Sequence, residues 1–185
     1  LYRRLRADPT CTHNEVVWTL RMKSGDVLHL TMTVEFEEQQ ALRITPEDAP
    51  LETAQELQAL LDRLAEEYNA DTSITVELPD VTYDAPVSVG CAVTLKGSGT
   101  AFAAPVTVTP LSDTERCHAY VRFSEASFEG DGSGTGVTAR APTYLENCRL
   151  TGWDVGALAV NGGWVYLHGG YIGGNGVGAR YDSAY

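Results

Sequence analysis

The sequence predicts a mainly β protein: a parallel β-solenoid with coils of about 22 residues, capped by one amphipathic α-helix and preceded by an antiparallel hairpin. Three observations support this prediction. Segments of the second half repeat at an offset of 22 residues. Fourteen of the 18 glycines lie between Gly130 and Gly178, where such coils turn. A single helical pattern separates these coils from the first 45 residues.

Length and charge exclude several classes of protein. A chain of 185 residues suffices for one domain with a core, or one domain plus a small appendage. Its content of 43% hydrophobic and 21% charged residues is that of a globular protein. A formal charge of −12 argues against a nucleic-acid partner, which requires a basic face. No run of apolar residues approaches the roughly 18 to 20 that span a bilayer.

The N-terminal region, residues 1–45, is predicted to be a tail and an antiparallel β-hairpin. Apolar and polar residues alternate from Val16 to Leu20 and again from Leu28 to Phe36. Residues 23–26 supply the turn between them. Because the chain begins with Leu1 rather than Met, we expect a processed or cloned fragment of a longer protein.

The second region, residues 46–185, begins with a predicted helix at about residues 51–68. Pro50 suits its start and Asn69 its end. The apolar residues recur at helical spacing on one face: Leu51, Ala54, Leu57, Leu60, Leu61, Leu64 and Tyr68. We expect this face to cover the open end of the solenoid, which otherwise exposes apolar core and strand edges.

Short β runs bounded by Pro or Gly follow the helix, and three of them share one frame. Residues 144–152 align without a gap over residues 166–174, and residues 122–130 fall one period earlier. The alignment predicts two inward columns, Phe123/Leu145/Leu167 and Phe128/Leu150/Ile172. The alternative, a β-sandwich, predicts hairpin signals that are missing after residue 70. We expect four to five coils and an incomplete C-terminal end.

Residues 50–100 resemble the opening of right-handed parallel β-helix proteins of the pectate-lyase-like superfamily. The shared motifs are a capping helix, a strand ending in Leu78-Pro79, the turn residue Tyr83, and the coil from Val93 to Gly99. Residues 80–83 depart from the usual pattern, which has a glycine before the tyrosine. The resemblance implies the fold and a secreted or cell-surface location. It leaves the chemistry open, because the superfamily includes lyases, glycoside hydrolases, phage tailspikes and adhesins.

Residues that flank the inward columns are predicted to point outwards and to form a face with stacked aromatic rings and mixed charge. Sugar rings pack on such aromatic faces, so we expect a polysaccharide or cell-surface glycan as the partner. Alternatively, these ladders simply stabilise the sheet. The predicted columns are Arg122/Tyr144/Tyr166, Ser124/Glu146/His168 and Ser127/Arg149/Tyr171.

Two tryptophans near predicted turns, Trp153 and Trp164, have two possible roles. Exposed indoles at these positions favour glycan stacking, and buried ones close a corner of the coil. Spacing alone does not decide between these roles.

Catalytic and metal-binding residues are hard to assign. Asp131 and Asp154, 23 residues apart, are weak candidates for the carboxylate pair of a glycosidase, although glycine-rich turns also favour Asp. The resemblance implies clustered acids and calcium in the lyases of the superfamily, and the sequence has no such cluster. We therefore expect no cofactor or metal, with calcium only if the protein is a lyase. The four cysteines lack zinc-site spacing, and their pairing is left open.

The sequence favours a non-catalytic, secreted or cell-surface β-helix module that binds glycans or mediates adhesion. The alternative is a polysaccharide lyase or glycoside hydrolase, or part of one, acting on an acidic or plant-type polysaccharide. A structural spacer in a larger surface protein is the third possibility. Nothing in the sequence predicts an oligomeric state.

Overall fold

The computed structural model describes residues 13–21, 27–35, 41–68, 72–111 and 119–182. The chain divides into two units, residues 1–39 and 40–185. In the first unit, β1 (His13–Arg21) pairs antiparallel with β2 (Val27–Glu35). The predicted turn at residues 23–26 lies outside the described residues, so the hairpin as a connected element stays a prediction.

The second unit is a parallel β-solenoid of five coils, with one helix before the first coil. Each coil contributes one strand to each of three sheets. Ahead of the coils come β3 (Ala41–Ile44) and α1 (Ala54–Glu67). The coil strands are β4 (Ser73–Glu77), β5 (Thr82–Tyr83) and β6 (Val87–Val89); β7 (Val93–Lys96), β8 (Ala101–Phe102) and β9 (Val106–Val108); β10 (Val121–Ser124), β11 (Ser127–Glu129) and β12 (Thr135–Ala139); β13 (Pro142–Glu146), β14 (Arg149–Thr151) and β15 (Val155–Val160); and β16 (Trp164–His168), β17 (Tyr171–Ile172) and β18 (Val177–Asp182).

The first sheet has the order β16-β13-β10-β7-β4-β3, the second β17-β14-β11-β8-β5 and the third β18-β15-β12-β9-β6. All these pairings are parallel and join each coil to the next along the solenoid axis. The prediction of a mainly β solenoid with one helix is confirmed.

The 22-residue frame is confirmed in the first and second sheets of the last three coils, whereas in the third sheet Val137 pairs with Ala157, an offset of 20. Phe123 pairs with Leu145 and Leu145 with Leu167, and the column Phe128/Leu150/Ile172 has the same offset. In the earlier coils Thr75 pairs with Thr94, an offset of 19, and Thr94 with Arg122, an offset of 28. The turns absorb the difference in coil length while the strands stay aligned, because a slip of one residue would reverse the inward and outward faces.

Strand β3 extends the first sheet beyond the first coil, which the sequence did not predict. It pairs parallel with β4, with Leu42 beside Ile74 and Ile44 beside Val76. On the outward side, Arg43 Nη2 lies 2.6 Å from Glu77 Oε1. Four residues are too few for a period-two pattern to be distinguished from a loop.

The core of the solenoid contains a cluster of buried aromatic rings. Phe102 and Phe128 stack with their centroids 5.1 Å apart, and Tyr83 lies 5.2 Å from Phe102 on the other side. Phe123 meets both phenylalanines edge to face. These four side chains are fully buried, so the first three coils are held by ring packing in addition to strand pairing.

Helix α1 caps the solenoid, and it begins three residues later than predicted. Thr53 and Glu56 form a capping box, in which Thr53 Oγ1 accepts from Glu56 N and Glu56 Oε2 accepts from Thr53 N. This box sets the first helical residue at Ala54. The predicted apolar face is buried: Ala54, Leu57, Leu60, Leu61 and Leu64.

The helix also pairs with exposed backbone at the first coil. Strand β6 is the edge of the third sheet, and the Gln58 side chain bonds to both of the Ser88 backbone groups. Gln58 Nε2 donates to Ser88 O over 3.0 Å, and Ser88 N donates to Gln58 Oε1 over 2.7 Å. The side-chain amide thus takes the place of a neighbouring strand. It protects this strand edge from pairing with another chain, which would lead to aggregation.

Left-handed backbone marks the turn between the first and second sheets. Glu125, Asn147 and Gly169 occupy the same place in successive coils, with φ of 59°, 53° and 68°. The backbone N–H of Asn147 donates to His168 O in the next coil, which continues the ladder through the corner. Glycine and asparagine suit this conformation, and the Glu125 backbone N–H, like that of Asn147, donates to the next coil, at Glu146 O.

Replacing Tyr83 by Phe tests the contact between the cap and the first coil. The Tyr83 hydroxyl donates to Leu51 O over 2.7 Å in a buried position, and its loss leaves that carbonyl without a partner. We expect Tyr83→Phe to lower the free energy of unfolding by about 1–3 kcal/mol in urea titrations. Tyr68→Phe is the control, because Tyr68 is only partly buried. Equal stability of Tyr83→Phe and the wild type would contradict this role.

Candidate binding face

The outward surface of the first sheet over the last three coils brings the predicted residues together. Arg122, Tyr144 and Tyr166 are register partners, as are Ser124, Glu146 and His168. Successive residues of a strand point to opposite faces of the sheet. These columns therefore point outwards, while the apolar columns next to them point into the core.

Four rings form an aromatic row on this surface: Tyr120, Tyr144, Tyr166 and Trp164. Tyr144 and Tyr166 stack with centroids 4.6 Å apart and planes at 10°. Tyr120 meets Tyr144 edge to face at 5.0 Å, and Trp164 meets Tyr166 at 6.1 Å. The sequence interpretation missed Tyr120, although it stands two 22-residue periods before Trp164 and this spacing could have revealed it.

Arg122 is held between rings of this row. Its guanidinium carbon lies 5.3 Å from the Tyr120 centroid and 5.5 Å from the Tyr144 centroid. Its Nη1 lies 3.7 Å from Glu146 Oε2. Cation–π contact and ion pairing both fix the guanidinium, so Arg122 connects the row to the column of Glu146 and His168.

Neighbouring rings of the row cover much of each other's surface. Stacking against Tyr144 covers one face of Tyr166, whereas Trp164 and Tyr166 remain 54% and 41% exposed. Among the described residues of the row, the two rings of the fifth coil are therefore the most accessible to a ligand.

A second aromatic position lies across the corner on the second sheet. Ser127, Arg149 and Tyr171 are register partners there, as the frame predicts. The Arg149 guanidinium carbon sits 5.1 Å from the Tyr171 centroid, and Tyr171 is exposed. His168 and Tyr171 are separated only by the turn at residues 169–170, so two adjacent faces of the fifth coil carry exposed rings.

Trp153 is buried and closes the corner between the second and third sheets. Its ring lies against Gly130 and Gly136, where an added Cβ would come within 2.5 Å of Cδ2 and 2.8 Å of Nε1. Its backbone N–H donates to Asn175 Oδ1 over 2.9 Å. The glycine-rich segment therefore makes room for an indole, and Trp153 has no ring face open to a ligand.

The candidate carboxylates Asp131 and Asp154 lie in equivalent turns of successive coils, between the second and third sheets. Asp131 Oδ1 accepts from Ser133 Oγ and Ser133 N at 2.7 and 3.1 Å, and these hydrogen bonds lower the pKa of Asp131. A lowered pKa suits a turn carboxylate more than a general acid. Asp154 is exposed in the corresponding turn of the next coil, and Glu146 lies at the corner between the first and second sheets. In the described part of the chain, no three His, Cys, Asp or Glu side chains group to hold a metal ion.

The two described cysteines are buried thiols. Cys148 Sγ lies 3.4 Å from Phe123 O, and Cys91 Sγ lies 3.9 Å from Leu61 O. Burial raises the pKa of both thiols to about 11. They are therefore protonated at neutral pH and unsuited to nucleophilic chemistry. Cys11 and Cys117 lie outside the described residues.

Fold and face together define a parallel β-solenoid protein with an aromatic, mixed-charge outer surface. Within the described ranges, no helix has the length and apolarity needed to span a membrane. No family model, curated protein or solved structure matches the chain.

The buried thiols predict a loss of stability at alkaline pH. As the pH rises through 9 towards 11, thiols of the unfolded chain ionise before those of Cys91 and Cys148 in the fold, whose pKa is about 11, so unfolding is favoured. We expect each thiol to contribute about 1–3 kcal/mol to this loss. Urea titrations at pH 8 and 11 should show a smaller loss for the double variant Cys91→Ala/Cys148→Ala. An equal loss in both proteins would show that these thiols do not titrate upon unfolding.

Proposed function

We propose that this chain is a non-catalytic β-helix module of the pectate-lyase-like type that binds glycans through the outward rings of its fifth coil. In this proposal it belongs to a secreted or cell-surface protein, with residues 1–45 as a tail and hairpin. The observation that carries the proposal is the exposure of Trp164, Tyr166 and Tyr171 on two adjacent outward faces.

The chemistry around these rings suits a sugar. An indole and two phenol rings offer flat apolar area to the C–H face of a pyranose, and each loses little side-chain entropy upon binding. Glu146, His168 and Arg149 stand beside the rings in the register columns and can pair with hydroxyl groups. The free ring faces favour the outer end of the aromatic row as the contact point.

The enzyme alternative has weaker support. A retaining glycosidase needs two carboxyl groups about 5–5.5 Å apart, and an inverting one needs about 6.5–9.5 Å. Asp131 is engaged by Ser133, and Glu146 lies at another corner of the coil from Asp131 and Asp154. Calcium enters only with the lyase form of that alternative.

Glycan binding by the intact chain tests the proposal. The probes are arrayed neutral and acidic oligosaccharides, followed by calorimetry with the strongest binder. We expect Trp164→Ala to weaken binding at least about tenfold, as loss of a central aromatic contact does. The double variant Tyr144→Ala/Tyr166→Ala should have a similar effect.

Tyr181→Ala is the matched control. Tyr181 is an exposed aromatic residue of the same coil, but it pairs with Ala159 in an inward column. We expect its affinity to stay within about twofold of the wild type, since surface contacts outside the hot spot cost little. Equal weakening by Tyr181→Ala and Trp164→Ala would argue against the outward face. A chain that binds no arrayed glycan would contradict the proposal and favour the spacer role.

A further inference from the structure

The described coils contain two Asn-Gly dipeptides, and their reacting groups are in opposite situations. The pairs are Asn161-Gly162, between β15 and β16, and Asn175-Gly176, between β17 and β18. In Asn-Gly the side-chain amide is open to attack by the next backbone nitrogen, because glycine has no side chain to shield that nitrogen. Three groups take part in this reaction: the amide carbonyl, the amide nitrogen that leaves and the glycine N–H.

Asn161 and Gly162 form the apex of a turn that protrudes from the solenoid. The register offset to the preceding coil grows from 20 at the end of β15 to 22 at the start of β16. This turn therefore has two more residues than the turn between β12 and β13. The φ angles of Asn161 and Gly162 are 51° and 83°, and Gly163 N donates to Val160 O over 2.9 Å, as in a two-residue type I′ turn.

The reacting groups of this pair are not held by the rest of the fold. Among the residues that the structure describes, neither the Asn161 side chain nor the Gly162 N–H has a hydrogen-bond partner, and both residues are exposed. No atom lies within 4 Å of the place that a Cβ of Gly162 would take. The exposure is a property of this corner, since Arg140, at the same corner one coil earlier, is also exposed with coils on either side.

Asn175 and Gly176 are the same dipeptide, but all three of their reacting groups are bound. Asn175 Nδ2 donates to Leu150 O over 3.0 Å, and Asn175 Oδ1 accepts from Trp153 N over 2.9 Å. The Gly176 N–H donates to Trp153 O over 2.9 Å. Cyclisation at this pair requires that these hydrogen bonds break first, so its barrier is higher. Because Asn175 lies in the last described coil, a position near the end does not by itself leave an asparagine unbound.

We propose that Asn161 is a site of spontaneous covalent modification, in which its side chain cyclises with the Gly162 nitrogen. An exposed turn opens locally without disturbing the strands, which lets this nitrogen approach Asn161 Cγ. The nitrogen loses its proton to solvent base and forms a bond to Cγ, while the Cγ–Nδ2 bond breaks and Nδ2 takes up a proton from water and leaves as ammonia. Water then opens the succinimide at either carbonyl and gives aspartate or isoaspartate. No oxidant or reductant takes part.

The product changes the chemistry beside the exposed rings of the fifth coil. Trp164 follows the turn directly after Gly163. Either product adds a carboxylate to a chain whose formal charge is −12. Isoaspartate also inserts a methylene into the main chain of the turn, next to Gly163, where the backbone of Ala139 leaves no room for a Cβ. We therefore expect the modified protein to separate from the original protein in anion exchange.

Peptide mapping by mass spectrometry of the folded full chain, incubated in buffer at about pH 7 and about pH 8.5, tests the proposal. We expect Asn161 to convert to aspartate and isoaspartate at least about tenfold faster than Asn175, which must first give up its hydrogen bonds. The rate at Asn161 should rise with pH, because the attacking nitrogen must lose its proton. In guanidinium chloride the two sites should convert at similar rates, since both are followed by glycine and neither is then held by the fold.

Asn161→Gln removes the site, because the longer side chain would have to close a six-membered ring, and it should abolish the acidic form seen in anion exchange. Asn147→Gln is the matched control: Asn147 has a similar φ of 53° but is followed by Cys148, so its replacement should leave conversion at Asn161 unchanged. Circular dichroism melting confirms that each variant is folded. Equal rates at Asn161 and Asn175 in the folded protein, or no conversion at Asn161 while the denatured chain converts, would overturn the proposal.

Discussion

Parallel register between coils is the constraint on which the rest of this structure depends. A coil of three short strands cannot bury its apolar side chains alone, so it buries them against the coils before and after it. Register holds each inward residue over the next, from the ring cluster around Phe102 to the column ending at Leu167. Turns can change in length between coils without disturbing the core, because only the strands must match.

The same constraint determines where the molecule can bind partners. Interior coils have their apolar residues and strand edges satisfied by neighbours, and the first coil has α1 and Gln58. Within the described residues, the fifth coil has a neighbouring coil on one side. Alternation along β16 then separates two surfaces within one strand: Tyr166 points outwards with the aromatic row, and Leu167 points inwards in the column of Leu145.

Much of the fold could be predicted from the sequence, because its local and repeating signals are strong. The helix pattern from Ala54 to Leu64 and the offset of 22 residues each have one good structural solution. The 22-residue repeat did not reveal the first two coils, because the offsets from the first to the second coil and from the second to the third are 19 and 28 residues. Strand β3 is too short to be recognised. Trp153 is buried and Trp164 is exposed. This difference depends on the room that Gly130 and Gly136 leave for the Trp153 indole, which sequence spacing does not show. Which ring faces are accessible depends on stacking across coils, as between Tyr144 and Tyr166, and no periodicity predicts it.

Hydrogen–deuterium exchange along the solenoid tests the central claim that each coil is protected by its neighbours, since the fifth has a described coil on one side only. At low protein concentration, we expect slow exchange in β13 and markedly faster exchange in β16, although their sequences share one frame. Exchange in β10 and β13 should be similar, since both have coils on either side. Equal protection of β13 and β16 in the dilute protein would contradict the account.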